Sequence, residues 1–161
     1  MDRIDRLTGH PLFRDCMDRI IQAEQDRVFC LHGMEHSLDV ARIGYIIDLE
    51  EQLHIDKEII YAAALLHDLG RCMEYEKNVS HHQAGAEIAE RILTDSGFDR
   101  KETEDICHAI LKHKEPCGED GAKDLGYLLY SADKLSRNCF LCKARDACYW
   151  QENRKNRRIV F

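Results

Sequence analysis

The run Tyr61-Ala62-Ala63-Ala64-Leu65-Leu66 is apolar almost without interruption and then meets His67-Asp68-Leu69-Gly70. Helix-forming residues that are apolar on every side predict an enclosed helix, so whatever ends it lies near the interior. A carboxylate and an imidazole placed there are costly unless paired, and a divalent transition metal satisfies both at once. Gly70 is read here as the residue that stops the helix.

The remaining segments carry 3.6-residue apolar spacing, and only two prolines and nine glycines punctuate the chain. The pattern predicts an all-α, single-domain fold of about six to seven helices over residues 1–161. In order, helices are expected from about Pro11 to Val28, Met34 to Leu53, Lys57 to Leu69, a start capped by Ser80 to about Gly97, Arg100 to Lys114, and Ala122 to Leu135. The stretch Cys72 to Ser80 and the residues 116–121 are expected as loops. His36 shares a stripe with Val40, Ile43 and Ile47, and His113 shares one with Ile106, Ala109 and Ile110, whereas His108 lies off that stripe. Asp133 sits at the edge of the last stripe. His81 and His82 open their helix, and periodicity does not choose between them.

A chain of 161 residues with 44% hydrophobic and 33% charged residues suits a globular protein with its own core. No run approaches the roughly 20 apolar residues of a membrane span, and the Met-Asp-Arg-Ile-Asp-Arg start lacks a signal peptide's apolar segment. A cytoplasmic location is expected, and the eight cysteines therefore predict no disulfide framework. The net charge of −7 argues against an extended nucleic-acid partner. The basic tail Arg154-Lys155-Asn156-Arg157-Arg158 reads as a solvated face.

His36, the doublet His67-Asp68 within Leu-Leu-His-Asp-Leu-Gly, and Asp133 within Ala-Asp-Lys resemble the signature of the HD superfamily of metal-dependent phosphohydrolases, over about residues 29–138. The resemblance implies an HD fold, a metal held by His36, His67, Asp68 and Asp133, and hydrolysis of a nucleotide phosphoester or anhydride by metal-activated water. His82-Gln83-Ala84-Gly85 is similar to the His-x-x-Gly of the two-metal branch and His113 to its downstream histidine. That likeness favours His82 over His81, implies a second ion at His82, His113 and Asp68, and makes Asp68 the residue shared by both ions. One or two ions of Fe, Mn, Zn, Co or Ni are expected. The same six ligands would suit a diiron oxygenase of that branch, and a non-catalytic metal or redox-sensing module is a further alternative.

The departures are Gly33 where many members have aspartate, Asp39 where many have arginine, and Arg71 where many have lysine. No Gly-Tyr-Pro follows His113, which disfavours cyclic di-GMP hydrolysis. Asp68, His32, Arg71 and Lys134 are the catalytic candidates: His32 for proton transfer or for orienting His36, and Arg71, Lys134 and Arg137 for phosphate contacts. A small phosphorylated substrate is the expected partner. Cys139-x-x-Cys142-x5-Cys148 has metal-like spacing with three sulfurs, and Cys30 is a candidate fourth. The chain is similar here to uncharacterised bacterial HD proteins with cysteines at these four places. Zinc, an iron–sulfur cluster, free thiols and redox sensing all remain open for residues 139–150. Cys16, Cys72, Cys107 and Cys117 read as packing or loop residues.

Overall fold

The computed structural model describes residues 1–114 and 121–161, and the described residues hold helices and no strand. The helices are α1 (Asp2–Gly9), α2 (Pro11–Ala23), α3 (Met34–Glu51), α4 (Lys57–Leu66), α5 (Arg71–Lys77), α6 (His81–Ser96), α7 (Arg100–Lys112) and α8 (Leu125–Leu135). After α8 come three 3₁₀ turns, Cys139–Leu141, Arg145–Ala147 and Glu152–Arg154. Cys117 and most of the predicted 116–121 loop lie outside the described residues.

Helix α4 is the enclosed helix its composition demands. Ile59, Ile60, Ala62, Ala63, Ala64, Leu65 and Leu66 are all buried, and α1, α3, α6, α7 and α8 pack around it. Alanines on its faces let neighbours approach closely. On α3, a Cβ added at Gly44 would lie 2.8 Å from Leu128 and 3.2 Å from Ile60, so its neighbours α4 and α8 depend on that glycine. Asp56 caps α4 by accepting from the Glu58 amide at 2.8 Å. Asp99 and Glu102 form a reciprocal capping box on α7, and Asp124 accepts from the Tyr127 amide at 2.9 Å to start α8 later than Ala122.

Two helices escape the periodic reading because they are short. α1 buries Ile4 and Leu7, and its Arg3 bonds Glu58 and Glu102 at 2.6 Å each while stacking on Phe98. α5 occupies most of the expected Cys72–Ser80 loop. Ser80 does take the N-cap position of α6, yet its side chain makes no capping bond. The predicted Pro11 helix stops at Ala23, and Gly97 ends α6 with φ +89°, a conformation that favours glycine.

Gly70 plays a different part from the helix stop expected of it. Its φ of −65° is ordinary for any residue. What requires glycine is contact: a Cβ there would lie 2.0 Å from the His81 carbonyl oxygen and 2.4 Å from the Gly85 nitrogen. The turn carrying His67 and Asp68 is thereby pressed directly against the first turns of α6.

Candidate metal centre

The five helices α3, α4, α6, α7 and α8 deliver the predicted metal ligands to one place. His67 follows α4 and His113 follows α7, and each ring folds back onto its own helix: His67 Nδ1 lies 2.7 Å from the Ala64 carbonyl and His113 Nδ1 2.6 Å from that of Ile110. Carbonyls at a helix C-terminus lack intrahelical partners, so the histidines satisfy them. Because a carbonyl only accepts, each Nδ1 carries its hydrogen, so in the neutral ring Nε2 is the atom left to bind a metal; against burial, the Asp68 carboxylate raises the His67 imidazole.

The same logic fixes the other rings. Ser136 Oγ donates to the Asp133 carbonyl at 2.8 Å and faces His36 Nδ1 at 3.2 Å, so the ring donates to it. His81 Nδ1 donates to Glu74 at 2.8 Å and His32 Nδ1 to Glu24 at 2.5 Å. Five histidines thus hold their Nδ1 hydrogens in fixed partners and turn Nε2 inward, the arrangement typical of imidazole ligands.

The inward atoms form two groups whose members lie within 4.8 Å of one another: His36, His67 and Asp133, all buried, and His81, His82 and His113. Asp68 stands between them. Its Oδ2 is 3.1 Å from His67 Nε2, 3.6 Å from His36 Nε2 and 4.0 Å from His32 Nε2, while Oδ1 faces His81 Nε2 at 4.0 Å. The Nε2 atoms of His67, His81 and His82 are buried without a hydrogen-bond partner. Unpartnered imidazole nitrogens converging beside two carboxylates are a donor set that fits divalent transition ions.

The surrounding charge is consistent with that fit. Burial works against ionising Asp68, but His67, His36 and Arg71 hold its carboxyl well below the usual range. Asp133 is likewise held down, against burial, by His36, His67, Arg137 and Lys134. Burial lowers His82 to about 3 and His113 to about 4, with neighbouring histidines adding to the effect, so both rings are neutral at physiological pH.

All the predicted residues of the centre gather here, both His81 and His82 included. Arg71 Nε contacts Asp68 at 2.8 Å, Lys134 Nζ contacts Asp133 at 2.5 Å, and Arg137 reaches His36 Nε2 at 3.0 Å and Asp133 at 3.1 Å. His108 is exposed on α7. Three partners had no periodic signal. Glu24 is 4% exposed just past α2, where it accepts from the His32 amide at 2.7 Å and from the Tyr75 hydroxyl as well as from the ring. Glu74 and Tyr75 stand on α5. A cavity of about 1270 Å³ opens over the centre, with Arg71, Lys114, Lys134 and Arg137 on its wall.

The family model for the HD domain matches residues 33–144. The chain belongs to the HD domain family. This HD protein is 40% identical, over the whole of both chains, to an uncharacterised protein of Clostridium beijerinckii. It is 28% identical to a predicted HD superfamily hydrolase from an uncultured Thermotogales bacterium, whose crystal structure it matches with a TM-score of 0.62 over 90% of this chain and 82% of that one. Ribonuclease Y of Geotalea uraniireducens is 37% identical over 63% of the chain, and that of Acidothermus cellulolyticus 35% over 50%. The HD protein spans only 17% and 14% of those two ribonucleases. Among its described residues, no helix is long and apolar enough to cross a membrane.

Proposed function

We propose that this HD protein is a metal-dependent phosphohydrolase acting on a small phosphorylated substrate, of which a nucleotide fits best. His36, His67, Asp68 and Asp133 would hold one divalent ion, and His82, His113 and the other oxygen of Asp68 a second, with His81 close enough to join. The observation that carries the reading is the division of Asp68: one oxygen faces His36 and His67, the other faces His81. Divalent ions held by such ligands acidify water and offset negative charge on phosphoryl oxygens.

The chain's own residues supply the rest. Arg71, Lys114, Lys134 and Arg137 give the cavity wall four cations suited to phosphate oxygens, Arg71 and Arg137 through planar forks. His32, oriented by Glu24, directs Nε2 at Asp68 and is placed to take or return a proton at a substrate oxygen above it. A cavity of about 1270 Å³ accommodates a nucleotide, since small-molecule pockets commonly run from about 300 to 1,000 Å³. The ribonuclease relatives direct attention to phosphodiesters, but a net charge of −7 favours a small substrate over a long RNA. A diiron oxygenase would use the same ligands, and the choice for hydrolysis rests on the cations along the cavity wall, which suit phosphate oxygens.

The test is release of phosphate or a nucleoside product from a panel of nucleotides under anaerobic conditions with Mn²⁺ or Co²⁺. Turnover that falls to background in Asp68→Ala supports the proposal. Turnover that requires oxygen, or none with any metal and nucleotide tried, defeats it.

A further inference from the structure

Beyond α8 the chain keeps a defined path with almost no core beneath it. From residue 139 onward the only buried apolar side chain is Ala144, while Leu141 and Tyr149 are each 78% exposed. Polar pins account for part of the order: Lys155 Nζ donates to the Arg145 carbonyl at 2.8 Å, and Asn156 Nδ2 to the carbonyls of Lys134 and Arg137 at 2.8 Å each. Contrary to the solvated tail expected from sequence, Lys155 is therefore turned inward. Segments with so little apolar burial are commonly held by a metal or a covalent staple.

The cysteines stand where such a staple would act. Cys142 and Cys148 each leave a 3₁₀ turn in extended backbone, their amides bonding Cys139 and Arg145 carbonyls at 3.3 Å. The repeated turn brings Cys139, Cys142 and Cys148 to the wall of one cavity, the wall that Cys30 reaches from the segment before α3. Arg27 Nε fixes the Cys30 carbonyl at 2.9 Å, and Phe29 meets Tyr149 edge to face at 6.2 Å, tying the two stretches together. All four thiols are free and partly buried.

Spacing separates the two metals that four cysteines commonly hold. Zinc bonds each sulfur at about 2.3 Å in a tetrahedron, which sets the sulfurs roughly 3.8 Å apart. Among the described residues, donor atoms come within 4.8 Å in threes only in the two histidine groups, and no three of these sulfurs do so. A four-iron cluster is held by sulfurs further apart, because each binds its own iron.

We propose that Cys30, Cys139, Cys142 and Cys148 bind a four-iron, four-sulfide cluster that staples residues 139–155 along the wall of the cavity. The site is separate from the histidine centre and stands whether or not that centre hydrolyses phosphoesters. Loading is a ligand exchange: each cysteine replaces a thiolate of a preformed cluster, its proton passing to the departing thiolate, with no net oxidation.

The test is transfer of a preformed cluster, carried by small-molecule thiolates, to the anaerobic full-length protein. About four iron and four acid-labile sulfide per chain are expected, with the broad visible absorption of cysteine-ligated clusters. Sulfide is the deciding readout, since the histidine centre can bind iron but not sulfide. Cys142→Ser and Cys148→Ser should lose the sulfide while keeping helical circular dichroism, and His36→Ala should retain it. If those variants do not fold, Cys30→Ser serves the same purpose from outside the turn segment. One zinc per chain without sulfide, no sulfide bound by the wild type, or full sulfide in folded Cys142→Ser would each overturn the proposal.

Discussion

Gly70 lies flush against the backbone of Gly85, so close that a Cβ on Gly70 would sit 2.4 Å from the Gly85 nitrogen. The converse is mild: a Cβ on Gly85 would meet Gly70 and Ile110 at 3.5 Å, an ordinary contact. Gly70→Ala should therefore cost on the order of 1–3 kcal/mol by overpacking against backbone that has nowhere to go. It should also weaken metal binding, because α6 carries His81 and His82. Gly85→Ala should be close to neutral, its helix propensity offsetting the contact. Thermal denaturation of the two variants, with metal uptake measured alongside, checks the asymmetry.

Glu24 predicts how the fold responds to acid. Burial raises its carboxyl, but hydrogen bonds from His32 and Tyr75 outweigh that and hold it at about 2, against 4.5 in a free chain. A depressed folded value means the contribution is complete above about pH 4.5 and disappears as pH falls toward 2. Its size is on the order of 3 kcal/mol. Glu24→Gln should lower stability at pH 7 and flatten the loss between pH 4.5 and 2, as urea unfolding at several pH values would reveal. An unchanged acid profile would mean the carboxylate carries no such load.

Ser136 holds the His36 ring in the form that turns Nε2 inward. Ser136→Ala removes that partner while leaving every proposed ligand in the chain. Loss of such a supporting contact typically weakens metal affinity roughly 10- to 100-fold. Competition with a metal-sensitive dye measures the shift, and Ser136→Thr, which keeps the hydroxyl, should restore much of it.

Arg71 is tied to Asp68 at 2.8 Å and to Glu74 at 3.2 Å, on the cavity wall. If it binds phosphate with its fork, Arg71→Lys and Arg71→Gln should each raise KM for a nucleotide substrate while helix content and melting temperature stay close to those of the wild type. Steady-state kinetics of both variants beside their circular dichroism separate recognition from folding.

His36 and His113 are readable because they sit in phase with apolar residues. His36 shares its stripe with Val40 and Ile47, and His113 shares one with Ala109 and Ile110, so burial of the stripe carries each ring inward. The carboxylates that orient His32 and His81 were not, since Glu24 and Glu74 meet them only through tertiary contacts between α2, α5 and the segments they flank. α5 has seven residues, too few for a periodic signal, and it brings both Glu74 and Tyr75. Gly70 was identified as special for the wrong reason, because a close approach between backbones distant in sequence leaves no local pattern. Metal-like spacing marks Cys139, Cys142 and Cys148 in the sequence, whereas Cys30, more than 100 residues away, is joined to them by the shared cavity wall.

The central claim is that Asp68 joins two metal sites. Calorimetric titration of the metal-stripped protein with Mn²⁺, which thiolates bind poorly, reads the histidine centre apart from the cysteines. The account predicts two Mn²⁺ per chain for the wild type, about one for His113→Ala and none for Asp68→Ala. A folded Asp68→Ala protein that still takes up two ions would contradict it.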